Sequence, residues 1–345
     1  MGVSKRIFKQ NKKRKRGSFA LPPNSLWSGQ KTPPHKRKKR VDYGRRNIFY
    51  YWKMNALLID GYNLGFRCFY AMPDLSRADG FPTGALHAFF NSLIKLSGEN
   101  TPHSTAVFFD KGGSKRHLAI HPQYKANRNE APDKFKKQIP SMKYLCEIFG
   151  FNPTESEGIE ADDLLASAAA AVQKAGGRAI IASADKDFAQ LVCPNIHQML
   201  PPNPKNKEWT LLDTIGVKTK FGVVPAQIPD YLSLIGDSAD NIEGIEGVGP
   251  KTAAKWLKDF GDIDTIIKRF DWLKPEKFRP LVRDGEALLR RNMELIRLDS
   301  SLDVPAPEMK TPNFDDIIAF LEEMEMKKSL TSLRKFAKEQ YDISL

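Results

Sequence analysis

The sequence has few cysteines and no long apolar run, and both absences restrict what the protein can be. Cys68, Cys146 and Cys193 are the only cysteines among 345 residues, and their spacing fits neither a disulfide framework nor a zinc motif. This favours a reducing compartment. No apolar run approaches the roughly 18 residues of a membrane span, and the N-terminus lacks a signal-peptide apolar region. We therefore expect no membrane association.

Acidic residues are almost absent from residues 1–53. This segment holds 17 Lys plus Arg against Asp42 alone, a net charge of +16, so the remaining residues carry −3 of the overall +13. It lacks the apolar periodicity of a folded core, and we expect a disordered basic extension. It could bind polyanions, direct nuclear import or act as an organelle presequence. Alternatively, the natural product starts at Met54 and the segment is not expressed.

Acidic residues follow the ends of three apolar, strand-like runs. The carboxyl ends of parallel strands share one edge of a sheet, where open α/β sheets bind ligands, so we expect these acids to converge. The alternation of strands with helices predicts an α/β fold with a mostly parallel central sheet flanked by helices. The runs and their acids are 56–59 with Asp60, 106–109 with Asp110, and 179–182 with Asp185 and Asp187.

A further acidic group opens the helix-like stretch that precedes the third strand. Glu160, Asp162 and Asp163 stand at its start, where acids also favour the helix dipole, and that alternative accounts for one of them. It does not account for the strand-end acids. Like charges about 4 Å apart repel by roughly 4 kcal/mol at an effective dielectric constant near 20. A divalent cation would relieve this repulsion, and oxygen ligands suit Mg²⁺ or Mn²⁺.

A basic segment leaves directly from the second strand end. Because it starts beside Asp110, we expect it to overhang the carboxylates, where cations suit a phosphodiester. A solvated surface loop is the alternative for any single lysine. Tyr124 could stack on a base or simply pack. The basic residues are Lys111, Lys115, Arg116, Lys125, Arg128, Lys134, Lys136 and Lys137.

A glycine-rich turn follows two more acids, Asp237 and Asp240. It runs through residues 244–252 into a predicted helix at 253–260. Glycine amides let a phosphate of duplex DNA approach closely, and the nearby lysines add positive charge. A purely structural turn between two helices is the alternative. The chain after Asp262 reads as helical.

Seven short motifs, in one order from Met54 to about Leu298, resemble the 5′-nuclease domain of bacterial DNA polymerase I and the related flap endonucleases. The agreement of seven motifs is far more specific than any one of them. The motifs are Leu-Ile-Asp60-Gly, Val-Phe-Phe-Asp110, Tyr124-Lys125-Ala-Asn-Arg128, Glu160-Ala-Asp162-Asp163, Ala-Asp185-Lys-Asp187, Gly-Asp237-Ser-Ala-Asp240-Asn and Gly247-Val-Gly249-Pro-Lys251-Thr252.

The resemblance implies a PIN-like 5′-nuclease fold with a helical arch and a C-terminal helix-hairpin-helix region. It divides the chain into a basic extension at 1–53, a catalytic core at 54–223 with the arch at about 111–140, a DNA-binding region at 224–300 and a helical tail at 301–345. Since no polymerase region follows, we expect a free-standing nuclease.

The resemblance also implies roles for individual residues. Two Mg²⁺ ions, replaceable by Mn²⁺, are expected, and the hairpin is expected to hold K⁺. The first ion is assigned to Asp110, Glu160, Asp162 and Asp163 with support from Asp60, and the second to Asp185, Asp187, Asp237 and Asp240. Catalytic roles fall to Lys125, Arg128 and Arg116, and DNA contacts to Tyr124, Gly247, Gly249, Lys251, Thr252 and Lys255.

The expected activity is that of a 5′-3′ exonuclease or structure-specific flap endonuclease. It would act as a monomer on DNA 5′ ends, flaps or nicks, and on RNA primers, in primer removal and repair beside a separate polymerase and ligase. We expect a bacterial cytoplasmic, nucleoid-associated protein, although the basic extension leaves nuclear or organellar import open. The alternative is a non-catalytic DNA-binding scaffold whose acids hold a structural metal.

Overall fold

A six-stranded sheet in the order β3-β2-β1-β4-β5-β6 forms the centre of the protein, whose computed structural model describes residues 55–308 and 310–345. The predicted disorder of residues 1–53 lies outside these described residues. All neighbours pair in parallel except β6. The expected mostly parallel sheet is confirmed. The strands are β1 (Asn55–Asp60), β2 (Ser104–Phe108), β3 (Asn152–Thr154), β4 (Arg178–Ala182), β5 (Ile196–Leu200) and β6 (Thr210–Leu212).

Helices cover both faces of this sheet and continue into a second, helical region. The helices are α1 (Gly61–Ala71), α2 (Gly84–Asn100), α3 (Lys115–Ile120), α4 (Asp133–Lys136), α5 (Ile139–Ile148), α6 (Ala161–Lys174), α7 (Thr214–Phe221), α8 (Ile228–Ile235), α9 (Pro250–Phe260), α10 (Ile263–Lys268), α11 (Arg279–Asp284), α12 (Glu286–Ile296), α13 (Phe314–Glu323) and α14 (Lys327–Tyr341).

The side chains of β1 point alternately to the two faces of the sheet, so this strand contributes to two apolar cores. Leu57 and Ile59 face the core built by α1, α2 and α5, while Ala56 and Leu58 face α6. Successive side chains of a strand point to opposite faces, so a strand buried on both sides must be apolar throughout. The register sets Asp60 opposite Phe108 of β2. The parallel strands β1, β2 and β4 therefore bring the acids at their carboxyl ends to the same edge of the sheet.

The second region packs α8, α9 and α12 around its own apolar core. A two-stranded ladder, β7 (Gly236–Asp237) with β8 (Ile242–Glu243), connects α8 to the glycine turn. A Cβ on Gly244 would lie 2.3 Å from the carbonyl carbon of Ile235, so only glycine fits this crossing. The ladder closes the loop that carries Asp237 and Asp240.

The last two helices return to the sheet region. Ile317, Phe320 and Leu321 of α13 and Leu333 and Phe336 of α14 lie in the same core as α2. The proposed tail at 301–345 thus contributes buried side chains to the sheet region. Within residues 55–308 and 310–345, no helix has both the length and the apolarity needed to cross a bilayer.

Candidate active site

The carboxyl-terminal edge of the sheet borders a cleft of about 1370 Å³. Four of the predicted metal-binding carboxylates line it, and they come from β1, the loop after β2, the first turn of α6 and the loop after β4. Aromatic side chains of α1 and cations of the segment at 111–140 complete the lining. The four acids are Asp60, Asp110, Asp162 and Asp185.

Asp60 is held in place by two hydrogen bonds. Its Oδ1 accepts from the amide of Asn63 at 3.0 Å, and its Oδ2 accepts from the hydroxyl of Ser183 at 2.9 Å. Burial raises the pKa of this carboxyl to about 7, and the neighbouring Asp185 and Asp110 add to the effect. Because burial disfavours the ionised form of this carboxyl, a nearby cation would stabilise that form strongly.

Asp110, in the loop after β2, and Asp162, in the first turn of α6, line the same cleft as Asp60. Oδ1 of Asp110 accepts a hydrogen bond from the amide of Ala161 at 2.8 Å, which uses a free donor at the start of the helix. Burial raises the pKa of Asp162 well above its ordinary value, with Asp60 and Asp185 as the next causes. These acids therefore lie close enough to repel one another.

Three further carboxylates form a compact group. Asp187, Asp237 and Asp240 each offer an oxygen atom within 4.8 Å of the others. Oδ1 of Asp187 is buried and has no hydrogen-bond partner, and burial raises the pKa of this carboxyl well above its ordinary range. A buried oxygen without a donor is costly unless a cation satisfies it. The donor set contains only oxygens and fits a hard divalent cation.

Two cations of the segment at 111–140 reach these carboxylates. Nζ of Lys125 donates to Oε1 of Glu160 at 2.8 Å, and the guanidinium of Arg128 pairs with Asp240. The Lys125 amide donates to the Asp240 carbonyl at 3.0 Å, and its backbone adopts a φ of +57°. Lys125 thus pairs with the acid at the start of α6, and Arg128 pairs with an acid of the compact group.

Tyr124 is buried between the two groups of acids. Its hydroxyl lies 3.2 Å from Oε2 of Glu160 and 3.2 Å from Oδ2 of Asp240. Of the two interpretations left open, this arrangement favours packing over stacking on a base. Its ring lies 4.7 Å from that of His117, whose Nδ1 is 3.5 Å from Glu160. Burial lowers the pKa of His117, so the imidazole tends to stay neutral.

Two residues near the acids were missed by the sequence analysis. His117 and His121 stand at helical spacing, but with no cysteine or further histidine nearby a zinc role was not expected, and nothing linked His117 to the acids. Lys186 stands between Asp185 and Asp187 in the motif, and its Nζ lies 2.9 Å from Oδ1 of Asp237. That position inside the acidic motif was a signal that could have identified it.

Arg116 and Asp163 do not line the cleft. The Arg116 guanidinium lies 3.6 Å from Oδ2 of Asp163 and donates to the carbonyl of Glu294 at 2.7 Å. Oδ1 of Asp163 accepts from the amide of Asp299 at 2.8 Å. Both side chains are therefore directed toward the end of α12.

The glycine turn precedes α9 in the predicted manner. Gly247 has a φ of +74°, and Pro250 occupies the first turn of α9. The amide of Thr252 donates to the carbonyl of Gly249 at 3.0 Å, which closes that turn. Lys251 and Lys255 are exposed on the same helix. The DNA contacts and the K⁺ site assigned to this turn stay predictions.

Comparison with known families matches two models in series. The first, described as a 5′-3′ exonuclease N-terminal resolvase-like domain, matches residues 55–222. The second, described as a 5′-3′ exonuclease C-terminal SAM fold, matches residues 223–317. Together they cover the sheet region and the helical region, and their order along the chain agrees with the order of the seven motifs.

Similar structures share the fold at low identity. A T5 flap endonuclease, solved as a pseudo-enzyme–product complex with DNA and metal ions, superposes with a TM-score of 0.60 at 22% identity, covering 82% of this chain and 99% of that one. The catalytic core of Rad2 with a DNA substrate superposes with a TM-score of 0.55 at 15% identity, covering 82% and 94%. These likenesses confirm the expected 5′-nuclease fold.

Similar sequences include a free-standing protein and a much longer one. The 5′-3′ exonuclease of Aquifex aeolicus is 37% identical over 292 residues, which is 84% of this chain and 98% of that protein. DNA polymerase I of Rhizobium leguminosarum is 34% identical over 88% of this chain, but the match spans 29% of the polymerase. The predicted resemblance is confirmed, and the chain belongs to the 5′-3′ exonuclease family.

Proposed function

We propose that the protein hydrolyses phosphodiester bonds of DNA at 5′ ends, flaps or nicks, as a metal-dependent 5′-3′ exonuclease and flap endonuclease. The observation that carries this proposal is the cleft whose wall of carboxylates faces Lys125 and Arg128. Clustered acids suit divalent ions, and cations on the opposite side suit a phosphate. The names of the related exonuclease and flap endonuclease support the same activity.

The donor sets support two Mg²⁺ ions, with Mn²⁺ as a substitute. One would be held by Asp110, Glu160 and Asp162 with Asp60 behind them, and the other by Asp185, Asp187, Asp237 and Asp240. Two such ions, when bound, lower the pKa of a nucleophilic water and stabilise the charge on the leaving oxygen. Asn63 and Ser183 keep Asp60 oriented toward this centre.

The two cations bind and orient the phosphate in this proposal. In the structure they pair with Glu160 and Asp240, Lys125 mostly buried and Arg128 half-exposed, so both cations are already held at the cleft. With divalent ions present, those acids have other partners, and Lys125 and Arg128 can turn to the scissile phosphate. From there the two cations stabilise the negative charge that develops on the phosphate.

The glycine turn supplies the grip on duplex DNA. Exposed Lys251 and Lys255 on α9 follow Gly247 and Gly249 along the chain, and their positive charge attracts the DNA backbone. This arrangement leaves the cleft to the 5′ end. We extend the proposal to K⁺ at the turn, to action as a monomer, to RNA primers as further substrates and to work beside a separate polymerase and ligase in a bacterial cytoplasm.

The proposal is tested with 5′-labelled flap, nicked and single-stranded DNA, with Mg²⁺ and with EDTA. We expect Mg²⁺-dependent cleavage near the junction of the flap and at the nick, and none in EDTA. As a control, the variant Glu322→Gln, which changes an exposed acid on α13, should cleave as the wild type does. Tight DNA binding without cleavage in Mg²⁺ or Mn²⁺ would instead identify a non-catalytic scaffold.

A further inference from the structure

One helix of the second region contacts the backbone around both groups of acids. α12 carries Asn292, which is fully buried and whose Nδ2 donates to the carbonyls of Ser233 at 3.2 Å and Glu243 at 2.6 Å. Ser233 lies in α8 and Glu243 in β8, on either side of the loop that holds Asp237 and Asp240. The middle of α12 therefore fixes both stems of that loop.

The C-terminal end of α12 is attached to the start of α6. Arg116 donates to the carbonyl of Glu294 at 2.7 Å and pairs with Asp163, while Oδ1 of Asp163 accepts from the amide of Asp299 at 2.8 Å. One turn further along α6, the buried hydroxyl of Ser167 donates to the carbonyl of Asp299 at 2.9 Å. The start of α6 and the chain just after α12 thus share a set of hydrogen bonds.

A third attachment comes from the loop that carries Asp187. Nε2 of Gln190 donates to the carbonyl of Ile296 at 3.0 Å, and its Oε1 accepts from the amide of Leu298 at 3.1 Å. Its Nε2 also lies 2.9 Å from the carbonyl of Asp187. The segment that ends α12 is therefore bound by elements from both groups of acids.

We infer that Asp163 is a positioning residue rather than a metal ligand. With Arg116, it fastens the end of α12 to the start of α6, and α12 thereby sets the spacing between the acids of α6 and those of the loop at 237–240. This inference rests on the proposed two-metal function. It also replaces the catalytic role expected for Arg116, at the base of the arch, by an attachment to the backbone of α12.

The hydrogen-bond geometry supports this reassignment. One oxygen of Asp163 is used by the Asp299 amide, and the other faces the Arg116 guanidinium. Its neighbour Asp162 lines the cleft, whereas Asp163 is buried beside α12. Adjacent residues of a helix lie about 100° apart around its axis, so the two acids point to different sides of α6.

The test uses Asp163→Asn and Asp163→Ala, with Asp162→Asn as the matched variant at the cleft. Asparagine keeps an oxygen that can accept from the Asp299 amide, and alanine does not. We expect wild type and Asp163→Asn to bind two Mn²⁺ per chain, with spin coupling visible by EPR. Asp163→Ala should bind both ions with weaker coupling, and Asp162→Asn should lose one ion.

A second readout needs no metal. In ion-free protein, the Asp299 amide should exchange its hydrogen at least about tenfold faster in Asp163→Ala than in wild type or Asp163→Asn, because its acceptor is gone. Loss of one Mn²⁺ in Asp163→Asn, or unchanged exchange in Asp163→Ala, would overturn the inference. A wild-type protein that binds fewer than two Mn²⁺ would count against the proposed function. The exchange result would still show whether Asp163 holds the Asp299 amide.

Arg116 is tested through the salt dependence of DNA binding. A residue that contacts a phosphate changes the slope of log affinity against log salt by about 0.9 for duplex DNA when it is removed. We expect Arg116→Ala to leave this slope unchanged and to speed exchange of the Asp299 amide. A reduced slope would return Arg116 to the DNA interface and contradict its assignment to α12.

Discussion

The ammonium group of Lys125 lies 2.8 Å from Oε1 of Glu160, which joins the segment at 111–140 to the start of α6. The lysine is mostly buried at this position. Burial on its own would lower the pKa of the ammonium, but Glu160 and Asp240 outweigh it and hold the pKa above its ordinary value. The cation therefore stays charged across the physiological range, already placed at the cleft.

Replacing Lys125 by methionine should slow chemistry far more than binding. The side chain keeps its length and loses the charge that stabilises the transferring phosphate, so the single-turnover rate should fall about 100-fold or more. Affinity for flap DNA should change less than about threefold, since the contact matters most in the transition state. Rapid-quench assays measure the rate, and fluorescence anisotropy measures the affinity.

The control is Lys137→Met, which changes an exposed lysine of the same segment. An unchanged rate in Lys125→Met would remove Lys125 from the mechanism.

Asp187→Asn should slow cleavage strongly while DNA binding persists. The substitution removes the charge of a buried carboxylate whose Oδ1 has no hydrogen-bond donor, so it weakens the proposed cation site and leaves the surface intact. We expect the rate in Mg²⁺ to fall about 100-fold or more, with flap affinity in Ca²⁺ unchanged. Equal losses of binding and cleavage would indicate that Asp187 is structural.

The stability gained from Mg²⁺ should grow with pH. The pKa of Asp60 is raised from 3.8 to about 7 in the folded protein, so between these values the folded chain binds more protons than the unfolded chain. The free energy of unfolding of the ion-free protein therefore falls as pH rises through this range. A bound cation removes that loss, so the increase in Tm on adding Mg²⁺ should be larger at pH 8 than at pH 5 by about a few °C.

Asp60→Asn provides the control for this pH effect. The amide can still accept from the Asn63 amide and can donate to the Ser183 hydroxyl, while it carries no charge. Calorimetry of the ion-free variant should show a higher Tm than wild type at pH 8 and a smaller Mg²⁺ increment. A wild-type increment that is equal at both pH values would show that the acids do not repel one another as described.

Gly247 and Gly249, in the turn before α9, should behave differently when changed to alanine. Gly247 has a φ of +74°, which costs an alanine about 1 kcal/mol, and the new Cβ would lie 3.4 Å from the Phe278 ring. Gly249 has a φ of −104°, and a Cβ there meets nothing within 4 Å. We therefore expect Gly247→Ala to lower Tm by roughly 2–4 °C and Gly249→Ala to leave it unchanged.

Gly249→Ala should instead weaken binding of duplex DNA. Its Cβ would stand in open space beside the first turn of α9, where the proposal places a phosphate. Anisotropy titrations with a blunt duplex measure this effect. Unchanged affinity in a variant of unchanged Tm would show that the glycine turn does not approach the DNA backbone.

Local pattern was enough to predict the strands that matter for the site. Apolar runs that end in Asp60 and Asp110 form β1 and β2, because a strand buried on both faces is recognisable from a few residues. The short β3 and the mixed polar sequence of β5 gave no such signal. Their strand conformation depends on pairing with β2 and β4, which lie far away in the sequence.

The positions of Asp60, Asp110, Asp162 and Asp185 at one edge of the sheet follow from the sequence pattern, because parallel strands and the helix between them bring their ends to that edge. The contacts of Tyr124, Arg116 and Asp163 became known only from the folded structure. Their partners lie on elements such as α6 and α12, and no local pattern shows that Asp163 meets the amide of Asp299, 136 residues away. Hydrogen bonds between distant segments exist only once both cores have formed, since packing brings the donors and acceptors together.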